Sequence, residues 1–327
     1  MQRRPIEPSL SACLPTPEVE GHITQSSLKS FPKAIFDADV KRIQLIVNAD
    51  DFGASEEVNE AVIRAFQEGV LTSCSLMVTG EAFNHAVRLA KENPGLAVGI
   101  HLVTVMGRAV LPKSVIPSLV DAQGCFSDDP VASGLRYFFS RSARRQLKQE
   151  LAAQFDRFKT TGLRLSHIDG HLHMHIHPLV FDLAVRLGEQ HGVRRMRVPE
   201  DDLALALRFR RDTAIGNRVH DWVFRLRVRS MKQRLKEKNF TFTERVYGHF
   251  QSGRMNAEYF HCAVEHLQAR TNEIYFHPAY YDAAQSLSAE RLQGLIEFKA
   301  LTDKRIVDLL SQSQIELINY FQLDASR

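Results

Sequence analysis

Between His167 and Pro178 the chain reads HIDGHLHMHIHP. Five of its fourteen histidines fall there within eleven residues, at 167, 171, 173, 175 and 177, with Asp169 among them. All six positions are odd, so in an extended chain their side chains share one face. Gly170 breaks that extension, which leaves some of the set, rather than all, able to converge on a point. Neutral imidazole is the commonest side-chain metal ligand, and a run this dense reads as a divalent-cation site rather than a solvated polar loop.

Asp50 and Asp51 form a second cluster, two residues after the apolar run IQLIV. Adjacent carboxylates repel each other unless a cation or a difference in protonation relieves them. A helix cap accounts for one aspartate at most, and Ser55 is available for that role. His101 ends the run VGIH and His277 sits in FHPA, both at the ends of apolar segments. Arg197 lies at the end of the short run RMRV (Arg195 to Val198), just before Pro199. His85, His220 and His249 have no such context and read as surface or structural residues. One aspartate and two histidines with open coordination positions make a hydrolytic metal site. A carboxylate base on one side and a histidine acid on the other complete an amide hydrolysis. No GxSxG is present to suggest a serine nucleophile.

The elements that must position these groups alternate in type. Ile43 to Val47 reads as a parallel strand buried on both faces, followed by a helix from the Ser55 cap to Gly69. Further strands are expected at Ser73 to Thr79, up to His101, from Leu163 to Asp169, at RMRV, at Glu273 to His277 and at Ile315 to Tyr320. Helices are expected at Ala82 to Lys91, Gln146 to Lys159 and Val180 to Gly192. Thr104 to Pro130 is irregular and long enough to be functional. Strand–helix alternation of this kind means a parallel α/β sheet. The polar clusters lie at the C-terminal ends of several different strands, as on the active rim of a (β/α) barrel, closed or incomplete. A doubly wound sheet concentrates its site at one switch point, and no G-x-G-x-x-G or Walker A follows the first strand.

The chain has 327 residues, 44% hydrophobic and 24% charged, a composition typical of soluble globular proteins. Four scattered cysteines with no CxxC exclude a zinc ribbon and a disulfide framework, and suit a reducing, cytoplasmic setting. No apolar run reaches the roughly 18 residues of a membrane span. Residues 1–40, rich in Pro and Ser without an apolar h-region, read as a disordered leader outside a 41–327 domain. Leu203 to Lys238 carries eleven Lys/Arg against three acids, about +8 in a chain of net charge +4. Within this basic helical insertion (203–245), Val219, Trp222, Val223 and Leu226 fall on one helical face, and Arg225, Arg229, Lys232 and Lys236 on another. That pattern suits either a solvated helix or peripheral contact with an anionic membrane. No nucleic-acid motif accompanies the charge, and the oligomeric state is open between monomer and homodimer.

Taken in order, LIVNADDFG, EGVLTSCSLMVTG, GIHL, HIDGHLHMHIHP and FHPA resemble the YdjC-like carbohydrate deacetylases, from about Lys41 onward. The stretch GIHLVTVMGRAVLPKSVIPSLVDAQGCF, with FFSRSARRQL after it, is more similar to the hopanoid-biosynthesis (HpnK-like) branch. The resemblance implies a NodB-like or YdjC-like barrel that removes the N-acetyl group from an amino sugar, in that branch an N-acetylglucosaminyl hopanoid. It implies one divalent ion, Mg2+ or Zn2+, on Asp51, His101 and His171, with Asp50 as general base and His277 as general acid. Asp169 and Arg197 are weaker candidates, either for substrate contact or for supporting the ligands from behind, Asp169 by orienting a ligand histidine, and His173 and His175 are weaker candidates for lining the sugar site. The residues alone leave two other readings open, a metal phosphoesterase and a non-catalytic sugar- or membrane-binding protein.

Overall fold

The computed structural model describes residues 42–209, 216–281 and 288–323, with the backbone path alone over 208–209, 216–223 and at 290. The leader expected over residues 1–40 lies outside these, as do the side chains of Val219, His220, Trp222 and Val223.

Strand β1 (Ile43–Phe52) runs through the middle of a parallel sheet and delivers Asp50 and Asp51 to its C-terminal end. After it come α1 (Glu56–Glu68), β2 (Ser73–Leu76), α2 (Phe83–Glu92) and β3 (Ala97–Leu102). Ser55 caps α1 as expected, its Oγ accepting the Val58 N–H at 3.3 Å. The loop after β3 leads into α3 (Pro130–Phe139) and α4 (Arg141–Thr160), then β4 (Ile168–Gly170) and a 3-10 turn over His171–Ile176. The second half holds α5 (Pro178–Gln190), α6 (Leu203–Phe209), α7 (Gly216–Glu237), β5 (Arg245–Tyr247), α8 (Ala257–Glu265) and β6 (Thr271–Phe276). Helices α9 (Ala289–Leu301) and α10 (Lys304–Gln312) precede β7 (Ile315–Leu317).

Among the described residues the strands follow the order β4-β3-β2-β1-β6-β5, with β7 paired to the start of β1. Every pairing between named strands is parallel. The two sheet ends are joined through Arg194–Glu200, where Met196 bridges to Ile168 and Arg195 bridges to Thr241. The result is the expected (β/α) barrel, distorted where single bridges replace ladders. Two expected strands are accordingly reduced: LRLSHID is regular only from Ile168, and RMRV contributes only those bridges. Leu45, Val47, Ala49, Phe52, Cys74, Leu76, Val98 and Ile100 are buried in one core with the helix faces that cover the sheet.

In the basic insertion, the side chains of α7 are described from Phe224 onward. The buried stripe of α7 is Phe224, Val228, Met231 and Leu235, spaced four, three and four apart. Leu226, placed on one helical face with Val219, Trp222 and Val223, is 50% exposed. Lys232 is drawn into an ion pair with Glu200, and its Nζ also donates to the Glu244 carbonyl at 2.8 Å. Arg234 pairs with Asp182. Part of the positive charge is thereby neutralised against the barrel, while Arg225, Arg229 and Lys236 stay exposed.

Candidate active site

Asp50 and Asp51 are neighbours on a strand, and regular pleating would send them to opposite faces. The backbone departs from that geometry at Asp51, whose φ is 60°, in the left-handed region where a non-glycine residue is strained. Its carboxylate is brought beside two imidazoles: Oδ1 lies 3.0 Å from His171 Nδ1 and 3.3 Å from His101 Nε2. Asp51, His101 and His171 each offer one donor atom, all within 4.8 Å of one another. Burial alone would raise the Asp51 pKa, but its contacts with His101 and His171 hold the carboxyl well below the usual range.

His101 is placed by register. In the β3–β4 ladder it lies opposite Asp169, and its Nδ1 sits 2.8 Å from Asp169 Oδ1. A carboxylate accepts only, so Nδ1 carries the proton and Nε2 is the nitrogen left facing Asp51. Burial opposes charge on this ring, yet the Asp169 carboxylate and the two aspartates of β1 push its pKa up to about 10 without a cation. This donor set fits a divalent ion: one carboxylate and two imidazoles, partly open to solvent, with a carboxylate behind one ring.

Asp50 faces the barrel interior and is held on both oxygens by Arg197, at 2.7 and 2.8 Å. Asn48, two residues earlier on the same face, donates to Asp50 Oδ1 at 2.9 Å. Arg197 also reaches Asp169 Oδ2 at 2.9 Å and Glu273 Oε1 at 2.7 Å, and none of its surface is exposed. The three carboxylates hold the guanidinium charged, well above its ordinary pKa despite burial. Burial pushes the Glu273 carboxyl up, partly offset by Arg197. Tyr320 donates its hydroxyl to the other Glu273 oxygen.

His277 arrives from the end of β6, 31% exposed, with Nε2 4.0 Å from Asp50 Oδ2. The buried Glu297 on α9 accepts its backbone N–H and lies 3.9 Å from its Nδ1. Asp50, Asp51, His101, Asp169, His171, Arg197 and His277 therefore form one cluster at the strand ends. Of the rest of the histidine run, His167 Nε2 lies 3.8 Å from Asp169 Oδ2, and the others turn to different partners. Leu172 and His173 take left-handed φ values of 49° and 55°, which breaks the common face expected of an extended run. His173 Nε2 pairs with the Tyr275 hydroxyl at 2.9 Å, His175 Nε2 with the Arg197 carbonyl at 3.2 Å, and His177 Nε2 with the Gly134 carbonyl at 3.1 Å. His175 and Arg197 are 0% exposed, so they brace the cluster from behind and present no surface to a substrate.

The sequence reading missed a polar layer beneath this cluster. Ser75 donates to Asp169 Oδ2 at 2.7 Å and accepts from Asn48 Nδ2 at 2.9 Å. Its remaining lone pair faces His167 Nε2 at 3.1 Å, which assigns the proton of that ring to Nε2. His167 stacks on Tyr320, with centroids 3.7 Å apart, and lies against Gly99, where a Cβ would come within 2.6 Å of its ring atoms. Asn48, Ser75, Glu273, Tyr275 and Glu297 are ordinary strand or helix residues in the sequence. The period-two series Glu273, Tyr275, His277 is the one signal that marks any of them.

Burial pushes the His167 pKa down to about 3, so this ring is neutral in the folded protein. The unfolded chain, with an ordinary histidine pKa near 6.5, binds the extra proton first. A depressed folded pKa means stability present above pH 6.5 and lost as pH falls toward 3. His167→Gln should therefore reduce the loss of stability between pH 5.5 and 4 by close to one proton, about 1.4 kcal/mol per pH unit. Urea titrations across that range measure it. An identical slope in the variant rules out a neutral, buried His167.

The family model described as YdjC-like protein matches residues 44–312. The chain belongs to the YdjC-like family. It is 34% identical over 283 residues to a protein named carbohydrate deacetylase from Brevibacillus brevis, covering 86% of this chain and 100% of the relative. A carbohydrate deacetylase from Geobacillus stearothermophilus is likewise 34% identical, over 84% of this chain and 96% of the relative. Among solved structures, a crystal structure from Enterococcus faecalis V583, provisionally described as a cellobiose-phosphate cleavage protein, aligns with a TM-score of 0.64. That alignment is 23% identical and covers 86% of this chain and 99% of the other, a likeness of fold alone. In this YdjC-like chain the conspicuous motifs NADD, GIH, HIDGH and FHP all end on the cluster described above.

Proposed function

We propose that this YdjC-like chain hydrolyses the acetamido group of an N-acetylated amino sugar, using one divalent ion, Mg2+ or Zn2+, held by Asp51, His101 and His171. The observation that carries the reading is the convergence of those three donor atoms within 4.8 Å, with Asp50 and His277 beside them. The two relatives named carbohydrate deacetylase support it from outside the structure.

When bound there, such an ion polarises a carbonyl oxygen and makes water a stronger acid. Asp50 accepts the proton of the attacking water; Arg197 and Asn48 fix the direction in which its oxygens point. Oxygen adds to the acetyl carbon, and His277 delivers a proton to the amide nitrogen as the C–N bond breaks. The products are acetate and a free amine. His101 stays in one tautomer throughout because Asp169 holds its Nδ1 proton. In this reading the sugar is lipid-linked, as in an N-acetylglucosaminyl hopanoid, which follows the likeness of the loop after β3 to that branch of the family. The 50%-exposed Leu172, next to His171, offers an apolar contact for such an aglycone.

The test is acetate release from an N-acetylglucosaminyl substrate, before and after chelation and after re-addition of Mg2+ or Zn2+. Chelation should abolish turnover, and Asp51→Ala should bind the ion at least tenfold more weakly and lose activity with it. Undiminished turnover after chelation, or phosphate release from an aryl phosphate in place of acetate release, overturns the proposal.

A further inference from the structure

Helix α3 is built the wrong way round for a helix that only packs on a barrel. Ser133 and Tyr137 are its buried residues, whereas Val131, Leu135, Phe138 and Phe139 are 71, 55, 49 and 74% exposed. At 100° per residue those four fall within one arc of about 100°, opposite Ser133 and Tyr137. The large apolar side chains thus make one continuous solvent-facing stripe. Stripes of this kind mark interaction surfaces.

The charge around it specifies the partner. From Val131 to Lys148 the chain carries five cations and no carboxylate. Arg136, Arg141, Arg144, Arg145 and Lys148 are all exposed, and none makes an ion pair among the described residues. Arg136 and Arg144 bond only backbone carbonyls, of Ser118 and of Tyr137 and Phe138. An aromatic stripe bordered by unpaired arginines matches a surface that is apolar below and anionic above. A second copy fits poorly, because a two-fold interface sets the same patch against itself and brings arginine to arginine.

We propose that the exposed face of α3, with the start of α4, docks on an anionic lipid bilayer. The position on the fold turns this contact toward the active site. The Tyr137 hydroxyl donates to the Thr104 carbonyl just beyond β3, and His177 Nε2 bonds the Gly134 carbonyl at 3.1 Å. The helix is thereby tied to the turn that presents His171, so a bilayer on α3 lies beside the mouth of the site. No described helix is long and apolar enough to cross a membrane, so the contact is peripheral. The proposal does not depend on the reaction: binding is measured without substrate, and its failure leaves the deacetylase reading standing.

Flotation of the full chain with phosphatidylcholine vesicles, with and without phosphatidylglycerol, tests it. The wild type should float with the anionic vesicles alone and release as salt rises. Phe138→Ser with Phe139→Ser, and separately Arg141→Glu with Arg145→Glu, should each reduce partitioning tenfold or more at unchanged melting temperature. No flotation of the wild type overturns the proposal, as does flotation undiminished in both variants. So does a size-exclusion result in which the phenylalanine variant dissociates a dimer while lipid partitioning holds.

Discussion

Asp50→Asn should keep the fold and the affinity for the divalent ion while turnover falls by about a hundredfold or more. The amide preserves shape and can still meet Arg197 through its oxygen, but it cannot take a proton from water. Arg197 retains Asp169 and Glu273 in the variant, so its charge is not left unmatched. The measurement pairs acetate release with calorimetric titration of the ion. It also decides between two donor sets, since Asp50, His101 and Asp169 form a second, deeper group. In that group the guanidinium of Arg197 already occupies both Asp50 oxygens and Asp169 Oδ2. Loss of ion binding in Asp50→Asn would move the cation to the deeper set; full activity would remove Asp50 from the reaction.

The largest effect on stability is expected at Arg197. Replacing it by Met leaves Asp50, Asp169 and Glu273 in a low-dielectric interior without their one permanent cation. Removing one partner of a buried ion pair costs about 3–5 kcal/mol, because the charge left behind is neither hydrated nor paired. Glu273, whose pKa burial already raises, is the group expected to relieve this by taking up a proton. Arg197→Lys keeps the charge but cannot reach three carboxylates with a planar fork, so it should fall between wild type and Met. Urea unfolding at pH 7 orders the three. A loss below about 1 kcal/mol for the Met variant contradicts the central place given to this residue.

Much of this architecture can be read directly from the chain. Asp50, His101 and His277 stand out because each follows an apolar run, and His171 because imidazoles crowd around it; strand ends on one rim of a parallel barrel meet in space. The interior layer is invisible for the opposite reason. Asn48, Ser75 and Glu273 acquire their roles from register between strands distant in sequence, as His101 does opposite Asp169. The break expected at Gly170, which would leave only some of the histidine run able to converge, falls two residues later: Gly170 is extended, residues 172 and 173 are left-handed, and only His171 reaches Asp51 directly. The basic segment was read by its charge density. The structure spends Lys232 and Arg234 on Glu200 and Asp182, and a second group of arginines, without ion pairs among the described residues, lies on α3 and α4. Helices α3, α8, α9 and α10 were not anticipated; in α3 the buried positions are a serine and a tyrosine, so hydrophobic periodicity points outward.

Strand β7 has a consequence for how the molecule is made. It pairs with the first residues of β1, and Tyr320 just beyond it touches both His167 and Glu273. These contacts join positions some 270 residues apart in the case of Ile43 and Ile315. A nascent chain on the ribosome cannot form them until the segment through Tyr320 has emerged, and contacts so distant in sequence are slow to close. Until then the first residues of β1 lack one neighbouring strand, and the polar layer lacks the ring and the hydroxyl that complete it. Maturation of the candidate site thereby waits on a segment made some 270 residues after β1 begins.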